Sequence, residues 1–264
     1  MPSGQLTAVV TGAGGTIGTC LSTRLASTGY NLVIIDTNKT NLDILHSKIL
    51  SQHPETNVLA LEISISSTQD VIHAVQAVQD RFKGIDLLIN NAGISPKLTN
   101  GKKIPILDID DQEWDFVMQT NLKSVFLMCK YFFDALKAKE GKIINIASMM
   151  GATGSGADTH QIFPYSVSAA HYSASKAGVI NFTKSLAREF SKFNIPVYAI
   201  APGAVSGGMG KFDDSFIKNL KEQIPSHQLG SPEEIVNTLT FLLTSGMSLT
   251  GQTLHVNHGW YMGG

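Results

Sequence analysis

Residues 11–18 read TGAGGTIG, and this run constrains the fold of the chain more than any other. An apolar run rich in β-branched residues, Leu6 to Val10, precedes it. Apolar side chains recur after it at helical spacing, through Leu21 and Leu25. This order predicts a buried strand, a glycine-rich turn and a helix, the first unit of a parallel sheet with helices on its faces.

The glycines of this turn stand where a Cβ atom would obstruct a bound dinucleotide. Gly12 permits a tight turn, Gly14 and Gly15 let backbone N–H groups approach a pyrophosphate, and Gly18 lets the helix lie close to the strand. By itself such a turn is also found in ordinary strand-to-helix connections. The predicted cofactor contacts from this turn are Gly12, Gly14, Gly15, Thr16, Ile17 and Gly18.

An acidic residue ends the second predicted strand, Leu32 to Ile35, about twenty residues after the turn. The carboxylate of Asp36 can accept hydrogen bonds from both hydroxyls of an adenosine ribose, whereas it would repel a 2′-phosphate. The sequence therefore predicts NAD rather than NADP as the cofactor. Lys39 could weaken that preference, although a solvated lysine at a helix start is the alternative interpretation.

Further apolar runs of strand length recur along the chain, each separated from the next by a helical pattern or a loop. They lie at Val58 to Leu61, Ile85 to Ile89, Lys142 to Ile146, Pro196 to Ile200 and Thr253 to Val256. With no internal repeat or linker, this rhythm predicts one α/β domain over residues 1–264. Its core would be a doubly wound, seven-stranded parallel sheet of the Rossmann type.

Small or polar residues follow several of these strands. In a doubly wound sheet the ligand binds outside the carboxyl ends of the strands, so these residues are expected to meet the cofactor. The predicted contacts are Glu62, Ile63, Asn91, Ala92, Gly93, Pro202 and Gly203.

Several helices also have sequence signatures. Ser67 with Asp70 resembles a capping box, and Ser231-Pro232-Glu233-Glu234 predicts the start of the last helix. A helical pattern from Asp110 to Lys139 predicts one long helix with Asn121 inside it. Because asparagine is unfavourable within a helix, its side chain is expected to bind its own backbone or to hold a water for proton relay.

Three stretches lack a clear period and are predicted to be loops that determine the substrate: Ser95 to Ile109, Met149 to Ala170 and Ala204 to Gly230. The first contains the turn Asn100-Gly101 and the lysines Lys97, Lys102 and Lys103, which are interpreted as solvated or as contacts for an anionic substrate group. In the third, Gly207, Gly208 and Gly210 precede a short helix around Phe212 to Gln223, a pattern suited to a mobile lid.

The composition limits the possible partners. The chain has 264 residues, 43% of them hydrophobic, and a formal net charge of −1, so no overall charge favours nucleic acid or an anionic membrane. Cys20 and Cys129 both lie in apolar helical patterns, where thiols are usually reduced and buried. No basic leader or membrane-length apolar run is present, so we expect a cytoplasmic protein with a small-molecule substrate.

Tyr172 and Lys176 lie four residues apart in the run HYSASKAG, and a helix would place both on one face. Bringing a phenol with a pKa of roughly 10 to neutrality requires about 4 kcal/mol. An ammonium at about 4 Å can supply a Coulomb energy of about that size. The pair therefore predicts a tyrosine that acts as a general acid or base.

Taken together, TGAGGTIG, NNAG, the asparagine of QTNL, the serine after INIA, YSASK and the PG after the sixth strand resemble the short-chain dehydrogenase/reductase family in its single-domain branch. The resemblance implies a catalytic tetrad of Asn121, Ser148, Tyr172 and Lys176. Tyr172 would exchange a proton with the substrate oxygen while a hydride moves to or from the nicotinamide, and Ser148 would bind that oxygen. Lys176 would lower the pKa of Tyr172 and hold the nicotinamide ribose, and Asn121 would bind a water that links Lys176 to solvent.

The chain also departs from the family pattern. Thr16 replaces a glycine of the usual TGxxxGxG, and Ser206 and Gly207 stand where the family often has a threonine. His258 replaces a common glycine and is interpreted as a surface or interface histidine, or as a substrate contact.

The spacing between the serine and the tyrosine departs most. Ser148 and Tyr172 are 172 − 148 = 24 residues apart, about twice the family spacing, so Ser155, Thr159 and Ser166 are rivals for the serine role. The insertion at 149–170 resembles that of sugar-biosynthesis members and suggests a carbohydrate-like substrate.

The sequence thus predicts an NAD(H)-dependent oxidoreductase that interconverts a secondary alcohol and a ketone. The alternatives are an NADP-dependent 3-oxoacyl-type reductase and a non-catalytic dinucleotide-sensing protein. No metal site is predicted, because His255 and His258 lack further ligands at a recognisable spacing. The resemblance also implies a homodimer or homotetramer.

Overall fold

The computed structural model describes residues 5–98, 103–154, 168–208 and 214–263. Seven parallel strands form one sheet of order β3-β2-β1-β4-β5-β6-β7. Their bounds are β1 Thr7–Thr11, β2 Asn31–Asp36, β3 Val58–Glu62, β4 Leu87–Asn90, β5 Lys142–Ile146, β6 Val197–Pro202 and β7 Thr253–Val256. Each predicted strand is present within two residues of its predicted ends, and the doubly wound fold is confirmed.

The strand order reverses between β1 and β4. The chain runs outward from β1 through β2 to β3 and then returns to place β4 on the other side of β1. Val9 of β1 is in register with Val33 of β2 on one side and with Leu88 of β4 on the other. Such a switch point opens a crevice at the carboxyl ends of the strands, where doubly wound folds bind ligands.

The sheet is covered on both faces, which explains why its strands are continuously apolar. Alternate residues of β1 enter different cores: Val9 packs in one, and Ala8 and Val10 pack in the other. Helices α1 Thr16–Ser27, α2 Lys39–Gln52 and α10 Pro232–Ser245 cover the Ala8 face. Helices α3 Thr68–Phe82, α5 Ser124–Tyr131 and α8 Ala170–Phe190 cover the Val9 face.

Two helix starts follow the sequence signals. Ser231 and Glu234 form the full capping box at α10, with Pro232 as its first residue. The Ser67 hydroxyl accepts from the Asp70 backbone N–H at the start of α3. The Asp70 carboxylate, however, accepts from the Ser64 N–H at 3.2 Å, so the second half of that predicted box is replaced by a contact one turn earlier.

The long helix predicted from Asp110 to Lys139 is interrupted, which corrects the sequence prediction. It consists of α4 Asp111–Met118, a π-helical turn Gln119–Lys123, α5, and a short α6 Phe133–Lys137. The π turn contains Asn121, whose side chain bonds outside the helix, and such single turns often mark functional sites.

The predicted loops contain some regular structure. The described part of the 149–170 insertion forms a short helix, α7 Met150–Thr153. The third predicted loop, residues 204–230, for which a lid role remains a prediction, contains α9 Asp214–Gln223. The first loop contains a 3₁₀ turn, Ile106–Asp108. Several residues singled out in these loops lie outside the described ranges, namely Asn100, Gly101, Lys102, Ser155, Thr159, Ser166, Gly210 and Phe212.

A membrane-spanning helix would need a long, apolar and nearly uncharged segment. Within the described part of the chain, none of the helices meets these requirements.

Candidate active site

The glycine-rich turn lies at the carboxyl end of β1, where it contacts the strand that begins the other half of the fold. Gly12 has a φ of 61°, and a Cβ there would lie 2.7 Å from the Ala92 Cα atom. A Cβ on Gly18 would fall on the Gly12 carbonyl oxygen. Both positions therefore require glycine, and they bring the N-terminus of α1 to the carboxyl end of β1.

Asn91 and Thr11 brace this turn. The Asn91 side-chain amide donates to the carbonyl oxygens of Thr11 and Gly12, each at 3.0 Å. The Thr11 hydroxyl accepts from the backbone N–H groups of Asn91 and Ala92 at 3.0 and 3.1 Å. The predicted contacts Asn91 and Ala92 thus form one rigid unit with the turn.

Thr16, at the start of α1, links the turn to the lid. Its hydroxyl donates to the Gly207 carbonyl oxygen at 2.6 Å. Gly207 has a φ of 69°, a backbone conformation that favours glycine. The threonine that departs from the family pattern therefore connects the glycine turn with the first residues of the lid.

Asp36 ends β2 beside the same turn. Its two carboxylate oxygens accept from the backbone N–H groups of Gly14 and Asn38, each at 2.9 Å. Lys39 lies on the surface, where its ammonium is 2.7 Å from Asp43. The carboxylate is held in place beside the turn, and the lysine is paired with a different acid.

Glu62 and Ile63 lie next to this carboxylate. Glu62 of β3 is in register with Asp36, and the Ile63 N–H donates to the Asp36 carbonyl oxygen at 3.3 Å. The two predicted contacts from the third strand thus line the same edge of the crevice as Asp36.

Asn121 is fully buried and holds the strand end that carries NNAG. Its Oδ1 accepts from the Ile94 N–H at 2.7 Å, and its Nδ2 donates to the Ile94 carbonyl oxygen at 2.9 Å. Nδ2 also donates to the Ser175 hydroxyl of α8 at 3.1 Å. The expectation that Asn121 binds its own backbone is therefore wrong, because the π turn directs its amide across to Ile94 and α8.

Lys176 is 3% exposed, and its Nζ donates to the Ile146 carbonyl oxygen at the end of β5 at 2.8 Å. Burial lowers the pKa of Lys176 to about 8. Gly93 lies between this ammonium and Asn121: a Cβ on Gly93 would be 3.2 Å from Lys176 Nζ and 3.3 Å from Asn121 Oδ1. Lys176, Asn121 and Gly93 therefore lie next to one another at the carboxyl end of the sheet.

Tyr172 is buried, and the Ser148 hydroxyl lies beside it. Burial raises the pKa of Tyr172, and the neighbouring Ser148 hydroxyl opposes that rise. The Lys176 Nζ atom lies 5.9 Å from the centre of the Tyr172 ring. The prediction that Lys176 brings the Tyr172 pKa toward neutrality therefore needs correction, because in this structure desolvation dominates and the lowering interaction comes from Ser148.

The structure thus brings Asn121, Ser148, Tyr172 and Lys176 to one site despite the long insertion. Ser148 follows β5 directly, and the Met150 N–H donates to its hydroxyl at 3.2 Å as α7 begins. Helix α7 packs against α8 at Gly151, where a Cβ would lie 2.6 Å from the Lys176 carbonyl carbon. The insertion therefore leaves the serine at the strand end and turns back onto the helix of Tyr172.

The end of β6 adjoins the same site. The Pro202 carbonyl oxygen accepts from the Met149 N–H at 3.0 Å, and the Gly203 N–H donates to the Val256 carbonyl oxygen at 2.9 Å. The backbone N–H of Ser206 donates to the Gly230 carbonyl oxygen at 2.9 Å, which joins the two ends of the lid. Pro202 and Gly203 are thus positioned between β5 and β7.

His258 is hydrogen-bonded to the helix cap of α10. Its Nε2 lies 3.0 Å from the Glu234 carboxylate, and its side chain is 18% exposed. Its φ of 55° explains why a glycine suits this position. Among the two sequence interpretations, this contact favours a structural histidine near the surface.

Sequence reasoning missed one part of the site. Trp260 and Tyr261 pack against a small buried cluster of Met149, Met150 and Tyr172. The aromatic pair in the terminal run NHGWYMGG was a signal, but no pattern in the sequence connects it with Tyr172.

The model of the family described as short chain dehydrogenase matches residues 6–216 of the chain. The chain belongs to this family. The resemblance stated from the motifs is confirmed, and the protein is an oxidoreductase of the short-chain dehydrogenase/reductase type, whose members use NAD or NADP.

Relatives of this short-chain dehydrogenase match along almost their whole length. A 3-oxoacyl-(acyl-carrier-protein) reductase FabG from Staphylococcus epidermidis is 34% identical over 259 residues, which is 97% of this chain and 98% of the relative. A solved 3-oxoacyl-(acyl-carrier protein) reductase with bound NAD from Brucella melitensis has a TM-score of 0.84 and 26% identity, covering 99% of this chain and 93% of that one. A glucose/ribitol dehydrogenase structure from the same organism has a TM-score of 0.83 and 30% identity, covering 98% and 97%.

Proposed function

We propose that the protein is an NAD(H)-dependent oxidoreductase that interconverts a secondary alcohol and a ketone. The observation that carries this proposal is the assembly of Tyr172, Ser148, Lys176 and Asn121 at the strand ends, beside the glycine-rich turn. A buried cluster of a phenol, a hydroxyl and an ammonium has no role in packing the sheet, whereas each group has a role in carbonyl reduction.

In the proposed reduction, Tyr172 donates its phenolic proton to the carbonyl oxygen, and Ser148 donates a hydrogen bond to the same oxygen. Since burial raises the pKa of Tyr172, its phenol holds the proton at neutral pH and is ready to act as an acid. A bound nicotinamide supplies the hydride in this direction and accepts it in the reverse one. Lys176 would hold the nicotinamide ribose and place a positive charge near Tyr172. Asn121 fixes the Ile94 backbone beside both residues.

The residues of the crevice fit a dinucleotide. A pyrophosphate would lie at the N-terminus of α1, where helix N-terminal N–H groups favour anions, and the fixed Asp36 carboxylate can accept from two ribose hydroxyls. One structural relative was solved with bound NAD. The proposed contacts are Gly12, Gly14, Gly15, Thr16, Ile17, Gly18, Asp36, Glu62, Ile63, Asn91, Ala92, Gly93, Tyr172, Lys176, Pro202 and Gly203.

The NAD preference is tested by titrating NADH and NADPH into the wild type and Asp36→Ser. We expect NADH to bind at least about tenfold more tightly to the wild type, because the carboxylate repels the 2′-phosphate, and we expect the ratio to shift toward NADPH in the variant. Asp80→Ser is the matched control, because it removes an exposed acid near the carboxyl end of α3, away from the crevice. Equal affinity of the wild type for both nucleotides would contradict the proposal.

The chemistry is tested by following reduced nicotinamide absorbance with a panel of ketones and alcohols. We expect Tyr172→Phe to lower kcat by at least about 100-fold while cofactor binding is retained, since it removes the proton donor alone. Tyr30→Phe, at the opposite end of the sheet, serves as the control. Unchanged turnover in Tyr172→Phe would exclude the assigned role.

A second candidate is reduction of a 3-oxoacyl thioester, which is supported by the similarity to 3-oxoacyl-(acyl-carrier-protein) reductases. It is distinguished from the first by assaying a 3-oxoacyl thioester beside simple ketones, with NADPH beside NADH. The predicted carbohydrate-like substrate is supported by the structural similarity to the glucose/ribitol dehydrogenase. Family membership and the complete tetrad speak against the non-catalytic alternative.

We also propose a homo-oligomer, formed through α4, α5 and α8. A mostly apolar groove of about 630 Å³ runs between these helices, with Met118, Leu122, Phe126 and Phe182 among its lining residues. Phe116 is 57% exposed beside it. Light scattering with size exclusion should give a dimer or tetramer, and Phe126→Glu should reduce the mass to that of a monomer.

A cytoplasmic location remains our proposal. Both cysteines, Cys20 and Cys129, are free, as is usual in a reducing compartment. Fractionation of cells that produce the protein checks the location.

A further inference from the structure

The C-terminal tail, residues 257–263, folds into a tight turn beside the candidate active site. Asn257 holds this turn: its Nδ2 donates to the Tyr261 carbonyl oxygen at 3.0 Å, and its Oδ1 accepts from the Gly259 N–H at 3.1 Å. A Cβ on Gly203 would lie 2.9 Å from the Asn257 Cβ, so the tail lies directly against the end of β6. His255 of β7 also contacts the turn, and the centre of its ring lies 4.8 Å from that of Tyr261.

This turn carries Trp260 and Tyr261 onto the residues that follow the catalytic serine. Both rings pack against Met149, Met150 and Tyr172. One side of Tyr172 therefore faces an apolar wall of two thioethers and two aromatic rings. Methionine side chains adapt their shape readily, so this wall can move to accept an apolar group next to Tyr172.

One polar atom in this wall has no partner. Trp260 Nε1 is buried, and among the described residues nothing accepts its proton. An indole nitrogen is only a donor, and a buried donor without an acceptor is unfavourable. Buried unpartnered groups are uncommon in folded proteins, and a ligand can supply the missing partner.

Two other polar side chains of the tail are already engaged. Asn257 bonds within the turn, and the His258 ring pairs with Glu234. The wall therefore offers mainly apolar contact, with the Trp260 N–H and the Tyr261 hydroxyl as its hydrogen-bonding groups. Such a surface has few groups for the many hydroxyls of a polyol.

We propose that Trp260 is a specificity-determining residue that binds the substrate. The substrate is then a ketone, or the matching secondary alcohol, with an apolar chain or ring that lies on the wall of Met149, Met150, Trp260 and Tyr261. A second oxygen near the reacting carbon accepts the indole N–H. This inference rests on the proposed function, because Tyr172 defines where the reacting carbon lies.

The kinetic test compares two probes of equal chain length, ethyl 3-oxohexanoate and 4-nonanone, of which only the first has a second oxygen function. Trp260→Phe keeps an aromatic ring and removes the N–H. We expect kcat/KM for the oxo ester to fall about 3- to 10-fold in this variant, mainly through KM, while that for 4-nonanone changes less than about twofold. Trp114→Phe, on the exposed face of α4, is the matched control. An equal change in kcat/KM for both probes, or no change for the oxo ester, would overturn the assignment. Faster oxidation of ribitol than of ethyl 3-hydroxyhexanoate by the wild type would overturn it as well.

A binding test separates this inference from the proposed chemistry. The chain has two tryptophans, so Trp114→Phe leaves Trp260 as the one indole fluorophore. We expect ethyl 3-oxohexanoate to change its fluorescence saturably, and to do so also when Tyr172→Phe is added. A saturable change without turnover by the wild type would refute the chemistry and support Trp260 as a binding residue. Turnover by the wild type with no saturable change would refute the role of Trp260 alone.

Discussion

Replacement of Lys176 by methionine is expected to abolish activity and yet to stabilise the fold near neutral pH. The ammonium of Lys176 is buried, and the Ile146 carbonyl oxygen accepts its hydrogen bond. Burial lowers its pKa to about 8, whereas a lysine in an unfolded chain titrates near its ordinary value of 10.5. The folded protein therefore binds this proton less tightly than the unfolded chain does.

The sign of the pH dependence follows from this difference. Below pH 8 Lys176 is protonated in both the folded and the unfolded state. The difference between its two pKa values, about 8 and 10.5, means that the buried charge lowers the free energy of unfolding by about 3 kcal/mol. Between pH 8 and 10.5 the unfolded chain binds more protons than the folded protein, so stability rises with pH and the cost declines. The cost is about 1 kcal/mol at pH 9.5.

Lys176→Met removes this cost and keeps an unbranched side chain of similar length. It also leaves the Ile146 carbonyl without its donor, at a cost of about 1 kcal/mol. We expect the free energy of unfolding to rise by about 2 kcal/mol at pH 7, and this advantage to be nearly lost at pH 9.5. The measurement is urea denaturation of both proteins without cofactor, followed by circular dichroism between pH 6 and pH 9.5.

Lys142→Met provides the control, because Lys142 donates to the Leu243 carbonyl oxygen at 2.9 Å from a partly exposed position. It reports the loss of a lysine-to-carbonyl hydrogen bond without removal of a buried charge. A stability difference between Lys176→Met and the wild type that stays constant from pH 7 to pH 9.5 would refute the reasoning. So would a lower stability of Lys176→Met at pH 7.

Substitutions at three further positions test the packing around the site. Gly151→Ala places a methyl group 2.6 Å from the Lys176 carbonyl carbon, so α7 must move. We expect the free energy of unfolding, measured by thermal denaturation, to fall by about 1–3 kcal/mol and kcat to fall as well. Asn121→Ala leaves the N–H and C=O groups of Ile94 without partners and should lower the free energy of unfolding by about 2–3 kcal/mol, measured with urea. Because His258 has a φ of 55°, His258→Gly should be more stable than His258→Ala by at least about 1 kcal/mol, and equal melting temperatures would contradict this.

Much of the architecture was predictable from short stretches of sequence. Apolar runs of strand length, separated by helical periods, predicted all seven strands within two residues of their ends. The glycines at 12 and 18 predicted the close approach of turn, strand and helix, because only an absent Cβ permits those distances. Such features depend on neighbours in the chain, which a sequence displays directly.

The interruption of the predicted long helix was not predictable in the same way. The pattern from Asp110 to Lys139 is helical throughout, but the π turn at Gln119–Lys123 forms where Asn121 bonds to Ile94, 27 residues away in the chain. The unfavourable asparagine marked the position, but the tertiary hydrogen bond that causes the interruption has a partner that local propensity does not reveal.

The sequence by itself determined the doubly wound sheet, the glycine turn and the acid at the end of β2, because each follows from residue type and spacing, and its resemblance to the family implied the tetrad. Only the tertiary structure decided the environment of those groups. Burial raised the pKa of Tyr172 and lowered that of Lys176, and the terminal turn brought Trp260 to the same site from 88 residues beyond Tyr172. Desolvation and long-range packing depend on what surrounds a side chain in space, and the order of residues along the chain does not specify that until the chain has folded.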